Sequence, residues 1–354
     1  MTKLEKIRAK LKELGFDALL VYDEINQRYF SEFHFSDGLL IITLENAYLV
    51  TDFRYYEMAL DQANKGFQVV MPTDRAAFID DVLNKDSVKR VALEGSYLSY
   101  TAYSTLASKH PGFEFSDIGT VISEMRQIKT KDEIEKIQLA QNITDAAFSH
   151  VLSMITPNMT EIEVAAELEY AMKKGGADGF AFSTIAVSGD ASALPHGTPR
   201  NVKLKRGFLT MDFGAKYDGY CSDMTRTIVI GKADEDIKKL YNTVLSAQLA
   251  ALEYLEHGRD CGEADKVARD IINVNYDGAF GHSLGHGVGL LVHEMPSLST
   301  RAFGRQLVTG NIVTTEPGIY LFGKYGCRIE DMVAIGDDSL YNFTHSTKEL
   351  IEIL

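Results

Sequence analysis

The chain has 354 residues, 45% hydrophobic and 24% charged, with 36 Lys plus Arg against 50 Asp plus Glu for a formal net charge of −14. That length allows one large domain or two, with a core that needs no disulfide staples. The acidity opposes phosphate backbones and anionic membranes, so neither nucleic acid nor a membrane is an expected partner. The three cysteines, Cys221, Cys261 and Cys327, have no C-x-x-C spacing, which argues against a disulfide framework and for a reducing compartment. The charged start Met1-Thr2-Lys3-Leu4-Glu5-Lys6 has no apolar h-region, and apolar runs such as Leu39 to Leu44 are too short to span a bilayer. A cytoplasmic protein is expected.

In chain order, Leu4, Ile7, Leu11 and Leu14 recur at helical spacing, and Gly15 stops that helix. Asp17 to Tyr22 reads as a buried strand, and Leu39 to Val50 as a hairpin turning at Glu45-Asn46. Further helix and strand signals run to Val91-Ala92-Leu93-Glu94, making an α/β segment. A polar stretch from Arg126 to Glu133 follows, in which Thr130 three residues before Glu133 forms a capping box for a long helix. The domain boundary is placed near 126. Beyond it lies a faint internal echo. One helix opens at Thr160-Glu161 and ends at Gly175-Gly176, a second spans about Glu263 to Val274, and each leads into a Gly-rich strand region with a histidine.

Four constellations carry chemistry. In the first, Asp218-Gly219 is a hairpin turn signal, so Tyr217 pairs with Tyr220 and Asp212 with Thr225. Asp223 then falls on the face of Asp212, roughly 7–8 Å away along the diagonal. The apolar flanks Phe208 to Met211 and Ile228 to Ile230 suggest that this hairpin is buried. In the second, a turn centred on Gly323 sets Glu316 opposite Glu330, a like-charge pair that needs a neutralising cation, Arg328 or solvent. The third, Gly281 to Glu294, holds His282, His286 and His293 among glycines that permit close approach. His293-Glu294 does not extend to H-E-x-x-H. The fourth is the turn Pro195-His196-Gly197. Asp212-Phe213-Gly214 spells a kinase motif, but the phosphate loop and catalytic loop that a kinase needs are missing.

The ordered set of Pro-His-Gly, Cys-Ser-Asp-Met-Thr-Arg-Thr, Gly-His-Gly-Val-Gly-Leu with His-Glu, Glu-Pro-Gly-Ile-Tyr and Arg-Ile-Glu-Asp resembles the pita-bread metallopeptidases. Within them it is most similar to the Xaa-Pro peptidases, prolidase and aminopeptidase P. The resemblance covers the whole chain, because the first segment is similar to the creatinase-type domain of that branch. It implies an α+β fold, with a pita-bread catalytic domain at 127–354 preceded by a smaller α/β creatinase-type N-terminal domain at 1–126. Carried over by motif, the metal ligands fall on Asp212, Asp223, His286, Glu316 and Glu330. The catalytic residues fall on His196, His293, Glu316 and Arg328, with His282 and Tyr320 as substrate-pocket positions. No ligand position is lost, which argues against creatinase and against a non-catalytic pita-bread peptide-binding protein. A methionine-aminopeptidase-like exopeptidase shares the ligands but usually lacks the N-terminal domain. Cys327 stands where an aliphatic residue is expected, and it is a point of possible oxidation.

The resemblance implies two divalent ions, Mn²⁺ first, with Co²⁺, Zn²⁺ or Fe²⁺ as alternatives; four carboxylates and one imidazole suit them better than copper. It implies a hydroxide held between them as nucleophile, Glu316 relaying a proton to the leaving nitrogen, and His196 and His293 as donors to the tetrahedral intermediate. Arg328 orients a ligand carboxylate or the substrate end. The implied substrates are Xaa-Pro dipeptides or short peptides with proline second, and the implied assembly is a homodimer. Phe180 and Phe182, near His196 in sequence, suit a proline-ring pocket but are expected to pack in the core.

Overall fold

The computed structural model describes residues Met1–Leu354, and the chain divides into two compact units, Met1–Arg126 and Gln127–Leu354. The first is built on a six-stranded sheet in the order Gln68–Val70, Ala47–Val50, Leu39–Thr43, Ala18–Val21, Arg90–Leu93, Glu114–Asp117. Ala18–Val21 is antiparallel to Leu39–Thr43 and parallel to Arg90–Leu93, so the sheet is mixed. Every residue of Ala18–Val21 and Leu39–Thr43 is buried, which is why these strands read as apolar runs rather than alternations. The opening helix, Lys3–Leu14, starts on a Thr2 capping box and ends at Gly15 in the left-handed region, φ 73°. The hairpin pairs Leu39 with Val50 and Ile42 with Ala47. Its turn is therefore centred on Leu44–Glu45, one residue earlier than expected. The Thr43 hydroxyl accepts the Asn46 N–H at 2.8 Å, and Asp86 accepts the Asn46 side-chain amide, which pins the turn there.

The second unit has two halves of one plan. In the first half the helices Lys131–Met154 and Glu161–Lys174 pack on the strands Gly207–Phe213 and Met224–Ile230, with Phe148, Val164, Leu168, Leu209, Met211 and Ile228 among the core residues. In the second, Glu235–Tyr254 and Cys261–Tyr276 pack on Ile312–Thr315 and Asp331–Ile335 through Leu240, Val244, Ala268, Ile272, Val313 and Val333. The faint sequence echo thus has a structural counterpart. Thr130 and Thr160 cap their helices through full capping boxes, and Asp260 accepts from the Gly262 and Glu263 amides. That cap starts the fourth helix at Cys261, two residues before the expected position, and it runs on to Tyr276. No helix is long and apolar enough to cross a membrane.

One buried network fixes the segment carrying His196. Glu161 accepts from the Ser188 amide and hydroxyl, both at 2.8 Å, and from the Arg200 amide, Nε and Nη2 at 3.0, 2.8 and 2.6 Å. Burial alone would raise its pKa, but these donors outweigh it and hold the carboxyl below its usual value of 4.5. A depressed folded pKa means stability fully present above 4.5 and lost as pH falls through the folded value. Glu161→Ala is expected to cost about 2–4 kcal/mol at neutral pH. Chemical denaturation should show that gap narrowing in acid.

Candidate metal centre

The first acidic hairpin has the register that its turn dictates. Asp218 and Gly219 both take positive φ, 44° and 78°, the geometry of a type I′ turn. Tyr217 pairs with Tyr220, Lys216 with Cys221, Met224 with Phe213, and Thr225 with Asp212. Asp212 and Asp223 consequently face one cavity of about 560 Å³. The second hairpin pairs Gly318 with Arg328, and the adjoining ladder pairs Thr315 with Asp331. Glu316 and Glu330 lie between these ladders in the same register and line the same cavity.

His286 enters from the strand Gly285–Gly287, which is paired on both sides. A Cβ at Gly285 would sit 2.0 Å from the Thr314 carbonyl oxygen, and one at Gly287 would sit 2.2 Å from that of Met295. Only glycine lets the neighbouring strands close on the histidine. His286 Nδ1 donates to the Gly287 carbonyl at 3.1 Å, which turns Nε2 toward Glu316 Oε1 at 3.3 Å and Asp223 Oδ2 at 3.6 Å.

These groups are acceptors facing acceptors. Ligand atoms of Asp223, His286 and Glu330 all lie within 4.8 Å of one another. Asp212 Oδ1 and Glu330 Oε1 are buried and have no hydrogen-bond partner. Burial, then the Glu330, Asp212 and Glu316 carboxylates, push Asp223 well above the usual carboxylate range. Burial, then Glu316 and Asp212, do the same to Glu330. The cation inside the cluster is Arg328, whose Nη2 meets Asp212 Oδ2 at 2.6 Å. Unmet carboxylate oxygens beside an imidazole nitrogen, with no thiolate, are the donor set of a divalent metal, and the residues present fit one.

The cavity wall also carries His196, His282, His293, Arg328, Phe182 and Val292. Tyr320 is not on that wall. Its hydroxyl accepts from Arg328 Nη1 at 2.7 Å and lies 2.9 Å from His282 Nε2. Since His282 Nδ1 donates to the Ser283 carbonyl, Nε2 is the acceptor and Tyr320 the donor. Burial lowers the His282 pKa, consistent with a neutral ring, and raises Tyr320 to about 12. Arg328 is 3% exposed and spends its other N–H groups on Thr225 Oγ1 and the Pro195 carbonyl.

Two expectations need correction. Phe180 and Phe182 are not core residues: Phe180 is 36% exposed and Phe182 is half-buried on the cavity wall, because the short strand that carries Phe180 lies at a sheet edge. Cys327 is fully buried and its thiol is pushed up to about 12 by burial, so it is a poor target for oxidation. One contributor was missed. Thr225 donates to Glu330 Oε2 at 2.8 Å and accepts from Arg328 Nε at 3.0 Å, joining the two hairpins. Its signal was available, since the turn register sets it opposite Asp212.

Glu330→Ala is expected to lose bound metal stoichiometry, checked by elemental analysis of the dialysed protein. A second outcome concerns the metal-free protein. Carboxyls with raised folded pKa hold protons that the unfolded chain has released, so their contribution to stability falls as pH rises above the ordinary carboxylate value. Thermal melts of the metal-free protein should show a loss as pH rises above the ordinary carboxylate value, and that loss should be smaller in Glu330→Gln.

Comparison with known proteins supplies the family. Residues 135–337 match metallopeptidase family M24, and residues 3–128 match the creatinase/prolidase N-terminal domain. The chain is 37% identical over 353 residues to a Xaa-Pro dipeptidase of Pyrococcus furiosus, covering 99% of both. Among solved structures it is similar to a Xaa-Pro dipeptidase from Bacillus anthracis (TM-score 0.94, 39% identity, 99% of each chain). It is also similar to an X-Pro aminopeptidase from Thermotoga maritima (TM-score 0.91, 36% identity, 98% of this chain and 100% of that one). With its acidic hairpins and Gly-flanked histidine converging on one cavity, the chain belongs to metallopeptidase family M24, as a pita-bread domain behind a creatinase-type N-terminal domain.

Proposed function

We propose that the protein is a metal-dependent exopeptidase that hydrolyses the bond between a first residue and a following proline. The observation that carries the metallopeptidase reading is the convergence of Asp212, Asp223, His286, Glu316 and Glu330 on one cavity. The proline specificity is supported by whole-chain likeness to proteins described as Xaa-Pro dipeptidases and an X-Pro aminopeptidase. A methionine-aminopeptidase-like enzyme and a non-catalytic binding protein are not favoured. All five ligand positions are filled, and the likeness includes the N-terminal domain.

Charge supports two ions. Asp212, Asp223, Glu316 and Glu330 bring four negative charges against the one positive charge of Arg328, leaving three. Two divalent cations then leave one positive charge for an anionic reaction partner. Oxygen-rich ligands favour Mn²⁺, with Co²⁺, Zn²⁺ or Fe²⁺ also suited. Bound there, the ions would supply Lewis acidity toward the scissile carbonyl and activation of water at neutral pH.

The chain's own side chains do the rest. Burial lowers the His293 pKa, so its ring is neutral and able to donate one hydrogen bond at the open face of the cavity. His196, exposed on the same wall, is a second donor; together they meet the oxygen on which charge develops. Glu316 carries the proton to the leaving nitrogen. The Arg328 guanidinium on the same wall favours its ionised form, so it starts as the base. Arg328 holds Asp212 in place, and Tyr320 and His282 extend that chain of hydrogen bonds. The reading carries with it a cytoplasmic homodimer, as the family resemblance implies.

A peptide panel tests it. Xaa-Pro dipeptides, Xaa-Pro-Yaa peptides or both should be cleaved and Met-Ala peptides spared. Exhaustive chelation should abolish hydrolysis, with Mn²⁺ or Co²⁺ restoring it, and activity that survives chelation rejects the proposal. His293→Ala should lower kcat by about 10²–10³-fold with metal content intact.

A further inference from the structure

A second cavity, of about 590 Å³, adjoins the metal cavity. The two share Phe182, Ser183, Thr184 and Pro199, so the second begins where the first ends. Its floor is one face of the helix Glu161–Lys174, where Ile162, Ala166 and Glu169 follow one another at helical spacing, and Phe180 stands over them. Ile162 is 47% and Phe180 36% exposed, apolar surface that the core leaves unused.

Two polar groups on these walls are also unspent. Thr184 is 5% exposed, lines both cavities, and its hydroxyl is buried without a hydrogen-bond partner. A buried hydroxyl left unpaired costs about 1–3 kcal/mol, which a ligand's polar group would relieve. Glu169 is half-buried at the helix face and makes no hydrogen bond or ion pair. The trough therefore offers apolar walls, one unmet hydroxyl at its entrance and one free carboxylate along its floor.

We propose that this trough holds the part of a peptide substrate downstream of the proline. The enzyme then accepts Xaa-Pro-Yaa and longer peptides, and favours a basic side chain near Glu169. The proposal rests on the Xaa-Pro exopeptidase reading above. An enzyme that removes the first residue has no chain upstream of it, so a cavity continuing from its site receives the downstream chain. The Thr184 hydroxyl pairs with a main-chain group of that segment as it leaves the metal cavity. Phe180 and Ile162 cover its side chains, and Glu169 meets the cation. The volume lies in the range that holds a ligand of several residues' worth of atoms.

The test uses the full-length, metal-loaded enzyme with Ala-Pro, Ala-Pro-Ala-Ala, Ala-Pro-Lys-Ala and Ala-Pro-Glu-Ala. Tetrapeptides should be cleaved at least as well as the dipeptide by kcat/KM. The Lys peptide should exceed the Glu peptide by about 2- to 5-fold, a preference lost in Glu169→Gln and reversed in Glu169→Lys. Ala166→Trp, on an exposed helix position, should lower the tetrapeptide-to-dipeptide ratio about tenfold by filling the floor. Cleavage of the dipeptide alone, or a ratio unmoved by Ala166→Trp, overturns the proposal and leaves the Xaa-Pro reading intact. So does a change in the Ala-Pro to Leu-Pro preference, measured with Leu-Pro as a second dipeptide, in the trough variants, which would make the trough a pocket for the first side chain. No cleavage of any proline peptide overturns the reading and the proposal with it.

Discussion

The mutual repulsion of four carboxylates inside one cavity is the constraint on which the second unit depends. Asp212, Asp223 and Glu330 are 9%, 4% and 1% exposed, so water does not screen them. Charges in such surroundings separate or take up protons unless the backbone forbids movement and a cation compensates. The backbone condition is met by continuous ladders. Seven pairs, from Met224 with Phe213 to Ile230 with Gly207, lock the first hairpin, and every residue of both strands is buried. Thr225 then ties it to the second hairpin, its carbonyl accepting the Glu330 amide and its hydroxyl reaching Glu330 Oε2.

Much of this was legible in the sequence because turn chemistry fixes register. Asp218-Gly219 demands a two-residue turn, and from that turn the pairing of Asp212 with Thr225 follows by counting. Gly323, at φ 73°, does the same for Glu316 and Glu330. The Gly-His-Gly spacing signalled close backbone approach, and the measured approaches at Gly285 and Gly287 are of that kind. The helix starts at Thr130 and Thr160 were readable from capping boxes.

What was not legible depends on which groups find partners in three dimensions. Phe182 and Phe180 look like core residues in any composition-based reading, yet they line cavities. Thr184 is an ordinary strand-edge threonine until its hydroxyl proves to have nothing to bond. Arg328 was assigned two duties, and the geometry ties it to Asp212, Thr225, Tyr320 and Pro195. Cys327, in a place where an aliphatic residue is expected, looked open to oxidation, whereas its burial decides its chemistry. Sequence spacing reports periodicity and register; it does not report desolvation.

Glu330 and Asp331 show how the fold separates structural charge from functional charge. They are adjacent and both buried, at 1% and 0% exposure. Asp331 receives Arg226 Nη2, Lys348 Nζ and Asn342 Nδ2, and these two cations and the amide outweigh burial to hold its pKa low. Arg226, itself 1% exposed, also donates to the Glu330 and Thr225 carbonyls, so the compensated aspartate anchors the main chain of its uncompensated neighbour. Glu330 keeps one oxygen without any donor. A protein that contains an arginine and a lysine within reach of one acid and withholds them from the next is arranged for an external cation at the second. The binding energy of a divalent ion held there would add to the folding energy, which would let an acidic cluster of this density persist in a buried site.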